Sequence, residues 1–187
     1  MTKTIQCISP VDGRVYAERS TLTLAEAEAA VERARQAQID WAERPLAERI
    51  KLVKAGIAAL SAMKERVVEE LAWQMGRPTR YGGEFGGINE RTDYMTGIAA
   101  KALAPVVVEA SDRFERRIER EPHGVILVVA PWNYPYMTAI NTIVPALIAG
   151  NSVVLKHASQ TLLVGERLAE ALHAGGVPGD VFQNVVL

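Results

Sequence analysis

Two short runs hold the residues whose types and spacing could do chemistry. The first is Ala130-Pro131-Trp132-Asn133-Tyr134-Pro135. Prolines hold the backbone on both sides of an aromatic–amide–aromatic triplet. A primary amide on such a rigid loop can donate to a developing oxyanion with little reorganisation. The same residues also allow a plainer role, with Trp132 and Tyr134 filling an apolar seam while Asn133 caps the next helix. The second run is Lys156-His157-Ala158-Ser159-Gln160-Thr161. A lysine at a strand end, followed by a hydroxyl residue opening a helix, suits an anion or a ribose. Here too a plainer reading stands beside it, a solvated lysine and an ordinary N-cap serine. No metal-ligand spacing occurs, and Cys7, the sole cysteine, has no neighbouring base or cationic residue to activate it as a nucleophile. His123 and His173 read as surface or packing residues.

The elements around the two runs place them together. Val125-Ile126-Leu127-Val128-Val129 is a continuous β-branched, apolar run, the pattern of a strand covered on both faces. A helical segment from about Tyr136 to Ala149 follows, closed by Gly150-Asn151. Ser152 to Leu155 reads as a second strand, Thr161 to Ala174 as a second helix and Val181 to Leu187 as a third strand. Strand–helix–strand–helix–strand with short connections predicts a parallel, doubly wound sheet with right-handed crossovers. Ligands of such sheets sit at the carboxyl ends of the strands, where both runs fall.

The amino-terminal part supplies a packing layer. Ser9-Pro10-Val11-Asp12-Gly13 is turn chemistry between extended runs at Thr4–Ile8 and Val15–Ala17. Thr23 and Glu26 form a capping-box pattern, and Leu24, Ala27, Val31, Ala34 and Trp41 then recur at helical spacing until Pro45. A second helix carries Leu46, Ile50, Val53, Ile57 and Leu60 on one face. A third carries Val67, Val68, Leu71 and Met75 and ends at Gly76. Tyr81 to Leu103 predicts a fourth helix, entered through Gly82-Gly83-Glu84-Phe85-Gly86-Gly87. No strand precedes those glycines and they lack dinucleotide-loop spacing, so they read as close helix packing or a loosened helix start. Pro105 to Glu109 and Arg113 to Arg120 are extended segments joined at Ala110-Ser111-Asp112. The second is charged at most positions, so this hairpin belongs at a sheet edge or against a partner subunit.

Bulk properties exclude several classes. The 187 residues carry 21 Lys and Arg against 22 Asp and Glu, interspersed rather than in blocks. That balance gives no nucleic-acid groove and no anionic-membrane surface. The first ten residues lack the apolar core of a signal peptide, and no apolar run is long enough to span a bilayer. With a single cysteine, these features lead to the expectation of a cytoplasmic protein.

The run from Gly124 to Thr161 resembles the aldehyde dehydrogenase superfamily. Its P-W-N-[FY]-P, P-A-L-x-A-G-N and V-x-L-K motifs occur here, in order, at Pro131–Pro135, Pro145–Asn151 and Val153–Lys156. The stretch Gly175 to Phe182 is similar to the family's A-G-[LV]-P-x-G-V-F signature, and the helices and the Ser9–Gly13 turn match its amino-terminal layout. The resemblance implies an α/β fold, with amino-terminal helices packed on part of a Rossmann-like parallel sheet. It assigns 1–104 and 122–187 to an incomplete NAD(P)-binding domain and 105–121 to a bridging hairpin of the kind through which members form homo-oligomers. It implies oxidation of a small aldehyde to a carboxylic acid with NAD or NADP. Asn133 matches the asparagine that holds the oxyanion. Ala130, Pro131, Trp132 and Asn133 match the cofactor-lining segment, Tyr134 an aromatic that walls the aldehyde tunnel, and Lys156 the lysine on the adenosine ribose or its 2′-phosphate. Ser159 stands where strongly NAD-selective members often carry glutamate, which implies that NADP is tolerated and tilts the choice toward it. His157 departs from the family's usual proline and predicts a less rigid loop. The family's catalytic cysteine and glutamate have no counterpart here. The chain is therefore expected to be a catalytically incomplete, poorly stable amino-terminal portion. The alternative is a non-catalytic nucleotide-binding or subunit-association fragment.

Overall fold

A computed structural model describes residues 3–187. Strands β1 (Thr4–Ile8) and β2 (Val15–Ser20) form an antiparallel hairpin. Its turn is closed by Gly13 N donating to Ser9 O at 2.9 Å, with Gly13 in the left-handed region at φ 76°. Helix α1 (Leu24–Glu43) begins at the predicted capping box: Thr23 Oγ1 accepts from Glu26 N, and the Glu26 carboxylate accepts from Thr23 N at 2.8 Å. The buried face of α1 differs from the expected one. Ala30, Ala34 and Trp41 are buried, while Leu24 and Val31 lie on the exposed side. The helix crosses the sheet on its alanines, packing them against Val154 and Val185, and small residues permit that close approach.

Helices α2 (Leu46–Ala62) and α3 (Lys64–Met75) follow, α3 ending at a left-handed Gly76. The fourth helix, α4 (Phe85–Ala102), starts later than its periodicity predicts, because Gly82 and Glu84 both take positive φ and break the helical path. Strands β3 (Val106–Ala110) and β4 (Glu115–Ile118) pair antiparallel, and every residue of both is exposed. The rest runs β5 (Val125–Val129), α5 (Pro135–Ile148), β6 (Ser152–Lys156), α6 (Leu162–Ala174) and β7 (Phe182–Val185), with the three strands parallel in the order β5-β6-β7. The parallel sheet with helical crossovers is therefore present, but in sequential strand order, with both crossover helices in the same core, so these three strands wind in one direction only.

Alternation along the central strand sorts the two layers. Val153 and Leu155 of β6 join the main core with α2, α5 and α6, whereas Val154 faces α1. Strand β5 is not covered on both faces as its apolar run suggests. Leu127 is 62% and Val129 69% exposed, because α1 covers Val125 but stops short of the other two. The α2–α6 contact is backbone on backbone: a Cβ added at Gly175 would sit 2.1 Å from Gly56 N. Arg49 closes the bottom of the layer. Its guanidinium donates to Ile148 O at 2.9 Å and Ala42 O at 2.8 Å, and also to Arg44 O, so it joins the carboxyl ends of α5 and α1. No described helix is long and apolar enough to cross a membrane.

Candidate functional site

Parallel pairing of β5 with β6 matches Val129 to Lys156, and Ala130 N donates to Lys156 O at 3.2 Å. Both loops therefore leave the sheet at the same level and on the same edge, as the strand pattern requires. Ala130 is buried under the first loop, while Trp132, Asn133 and Tyr134 are exposed. Asn133 does not cap α5. Its carbonyl is 3.5 Å from Thr138 Oγ1, and among the described residues its side-chain amide meets no hydrogen-bond partner.

Neither Asn133 nor Tyr134 satisfies the first amides of α5, which has no local side-chain cap. A distant residue does so. Glu84 Oε2 accepts from Met137 N at 2.8 Å, and Glu84 Oε1 pairs with Arg77 at 2.6 Å, its side chain only 4% exposed. The Arg77 guanidinium lies over the Tyr134 ring, 5.4 Å from its centroid. Glu84 and Arg77 carry no local sequence signal for this role, because the amide they serve lies about fifty residues downstream.

The second loop is also assembled from afar. Lys156 is half-buried and Ser159 exposed. Ser159 opens a 3-10 turn (Ser159–Thr161) whose N-cap is Ala158, so the serine is not the expected N-cap. The first turn of α6 is capped instead by Gln74, whose Oε1 accepts from Leu163 N at 2.8 Å. Lys156, Ser159 and Asn184 line a narrow crevice between the ends of β6 and β7.

His157 overturns the expectation of a looser loop. It is 5% exposed, with Nε2 at 3.3 Å from Pro135 O and Nδ1 at 3.3 Å from Thr161 Oγ1. It thus ties the second loop to the first and replaces proline's stiffness with hydrogen bonds. Burial lowers its pKa below the ordinary 6.5, the nearby Lys156 charge adds to the effect, and its hydrogen bonds partly offset it. The folded protein consequently holds His157 neutral, while the unfolded chain takes up a proton near 6.5. The unfolded state then binds more protons as pH falls, so stability is full above about 6.5 and is lost progressively toward the lower, folded pKa. Urea midpoints measured between about pH 7.5 and 5 should fall more steeply for the natural chain than for His157→Gln. Identical slopes would contradict the assignment.

Cys7 is fully buried, its Sγ donates to Gln160 O at 3.0 Å, and burial pushes the thiol pKa up. Its environment is that of a packing residue. His123 is exposed, and His173 Nε2 lies 2.9 Å from Phe182 O.

Comparison with known proteins decides the lineage. The sequence profile of the aldehyde dehydrogenase family matches residues 1–187, the whole chain. The chain belongs to the aldehyde dehydrogenase family. Among curated members, a vanillin dehydrogenase of Corynebacterium glutamicum is 33% identical over 184 residues, covering 95% of this chain and 37% of that protein. This aldehyde dehydrogenase chain therefore spans well under half the length of its curated relative. An NAD-dependent benzaldehyde dehydrogenase structure from the same organism superimposes with a TM-score of 0.90 at 29% identity, covering 99% of this chain and 41% of that one. An NADP-dependent glyceraldehyde-3-phosphate dehydrogenase from Bacillus halodurans, complexed with NADP, gives 0.85 at 31% identity, with 98% and 40% covered. The helical layer, the exposed hairpin and the three-stranded parallel sheet thus make up one portion of the aldehyde dehydrogenase fold.

Proposed function

We propose that this chain serves the NAD(P)-dependent oxidation of an aldehyde to a carboxylic acid. It would contribute the oxyanion donor and part of the cofactor site. The observation that carries this reading is the pair of loops leaving adjacent parallel strands, with the Asn133 amide exposed beside them and without a hydrogen-bond partner among the described residues. In this reading Asn133 donates to the oxygen that gains negative charge when a thiolate adds to the aldehyde carbon. Tyr134 walls the aldehyde path. Ala130, Pro131 and Trp132 lie along the cofactor, and Lys156 with Ser159 takes the adenosine ribose. NAD(P), when bound, supplies the hydride acceptor. The thiol and the base come from outside residues 1–187, since Cys7, the only thiol present, is sealed in the core. The chain alone should therefore form no NAD(P)H with any aldehyde. Formation by the chain alone would refute that division of labour.

The exposed Ser159 hydroxyl beside half-buried Lys156 suits a ribose bearing a 2′-phosphate as well as a plain ribose. We expect NADP to bind at least as tightly as NAD. Ser159→Glu should weaken NADP binding about 10- to 100-fold through charge repulsion at a part-solvated site, with little loss for NAD. Calorimetric titration of both cofactors checks this, and a natural chain that clearly favours NAD would defeat it.

A second reading, subunit association, is favoured by the β3–β4 hairpin. Val106, Val107, Val108, Phe114 and Ile118 are all at least 45% exposed. Such a ribbon, with exposed apolar side chains among its charges, suits pairing with another subunit of the same kind, 105–121 acting as the bridge between copies.

A further inference from the structure

The glycine-rich run at 82–87 lies beside Tyr134 and Met137 and is built with unusual backbone. Among the described residues, only two that are not glycine have positive φ, Glu84 at 70° and Tyr134 at 48°. Left-handed backbone at such residues is strained and persists where the surroundings enforce it. Both belong to one assembly. Arg77 pairs with the Glu84 carboxylate and lies over the Tyr134 ring, while the same carboxylate accepts the Met137 amide. Gly82 takes φ 68°, which turns the chain ahead of Glu84, and a Cβ at Gly87 would meet only the movable Met137 side chain, with Sδ at 2.7 Å.

We infer that the Arg77–Glu84 pair, seated by the glycine-rich run, is the positioning device of the Asn133 loop. It fixes Tyr134 and the first turn of α5 on either side of Pro135 so that the Asn133 amide is presented in one orientation. The consequence for catalysis rests on the oxyanion reading above; the mechanical claim does not. Glu84 and Arg77 are positioning residues, since they act on the loop and not on a reacting atom.

Two measurements separate these claims. The first is amide hydrogen exchange in the full chain. Glu84→Ala should speed exchange at Met137 and Thr138 about tenfold, relative to unaffected amides in α2 and β6. Glu84→Gln, which keeps an acceptor oxygen, should restore much of the protection. Unchanged exchange at Met137, or equal acceleration in α2 and β6, overturns the positioning claim. If Glu84→Ala does not fold, Arg77→Lys, which gives up the flat guanidinium over Tyr134, should speed exchange at the same two amides, and unchanged exchange there overturns the claim. The second is turnover in a preparation that also supplies the thiol and the base. Glu84→Ala should lower kcat about tenfold, leave cofactor affinity unchanged and add little to an Asn133→Ala background, as residues acting through one group do. Multiplicative losses overturn the coupling to Asn133. If instead Asn133→Ala leaves turnover untouched, the oxyanion reading fails while the exchange result still stands.

Discussion

Asn133→Ala should slow aldehyde oxidation about 100- to 1,000-fold in any preparation that also supplies the thiol and the base, a loss of about 3–4 kcal/mol from the transition state. The reason lies in what the amide does not do in the resting fold. It caps no helix and meets no partner among the described residues, so its removal leaves the loop's own hydrogen bonds intact. The Glu84 cap on Met137 and the His157 contact with Pro135 O remain to hold the backbone. The loss should therefore fall on kcat, with the affinity for NAD(P) changed less than threefold or so, because ground-state binding does not use a charge that has yet to form. Asn133→Asp should be at least as damaging, since an anion there repels the developing oxyanion. Steady-state kinetics with saturating cofactor reads both numbers. A substitution that raised KM alone would mean that Asn133 binds substrate and does not stabilise the transition state.

Arg49→Met should cost about 3–5 kcal/mol of stability and lower the melting temperature by about 10 °C. Arg49 is 9% exposed, and burial lowers its pKa, but the groups it meets are main-chain carbonyls, with no carboxylate partner among the described residues. Those carbonyls terminate α1 and α5, where the peptide dipoles leave partial negative charge, and a guanidinium answers several of them at once. Methionine fills similar volume but leaves three acceptors without their donor, one buried and two part-buried. Lysine offers a point charge in place of a fork, so Arg49→Lys should recover only part of the loss. Thermal and urea unfolding measure the difference. A loss under about 1 kcal/mol would show that water replaces the guanidinium without penalty. A second effect accompanies the first. Because Arg49 fixes the carboxyl end of α5, loosening it also loosens the helix whose amino end carries the Asn133 loop.

What could be read ahead of the structure followed the range of the interactions. Local ones were visible: the Thr23–Glu26 box, the Gly76 stop and the uninterrupted apolar run of β6 each depend on residues within a few positions of one another. Which residues of α1 turn inward was not, because Ala30 and Ala34 are chosen by the closeness of β6 and β7 and not by their own hydrophobicity. The same holds at the site. Both loops could be located from the strand pattern, yet their supports could not, since Glu84 and Gln74 serve amides 53 and 89 residues away. The tie that His157 makes between the loops depends on Pro135, 22 residues away, and so has no local signal. The spacing of four between His157 and Thr161 was the one local sign that the ring would be engaged. The exposure of Leu127 and Val129 likewise depends on where α1 ends relative to β5, which periodicity in β5 alone does not encode.

The alignment of Val129 with Lys156 acts as a ruler. A strand advances about 3.3 Å per residue, so a slip of one position between β5 and β6 would displace the lysine from the amide loop by about that much and turn its side chain to the opposite face. The distance between the Asn133 loop and Lys156, the proposed oxyanion and ribose positions, is thus quantised by a backbone ladder. Insertions within either loop can retune contacts, but the spacing itself changes only in whole residues. On the proposed reading, changes within the loops alter what each one contacts while the separation of the two proposed positions stays fixed.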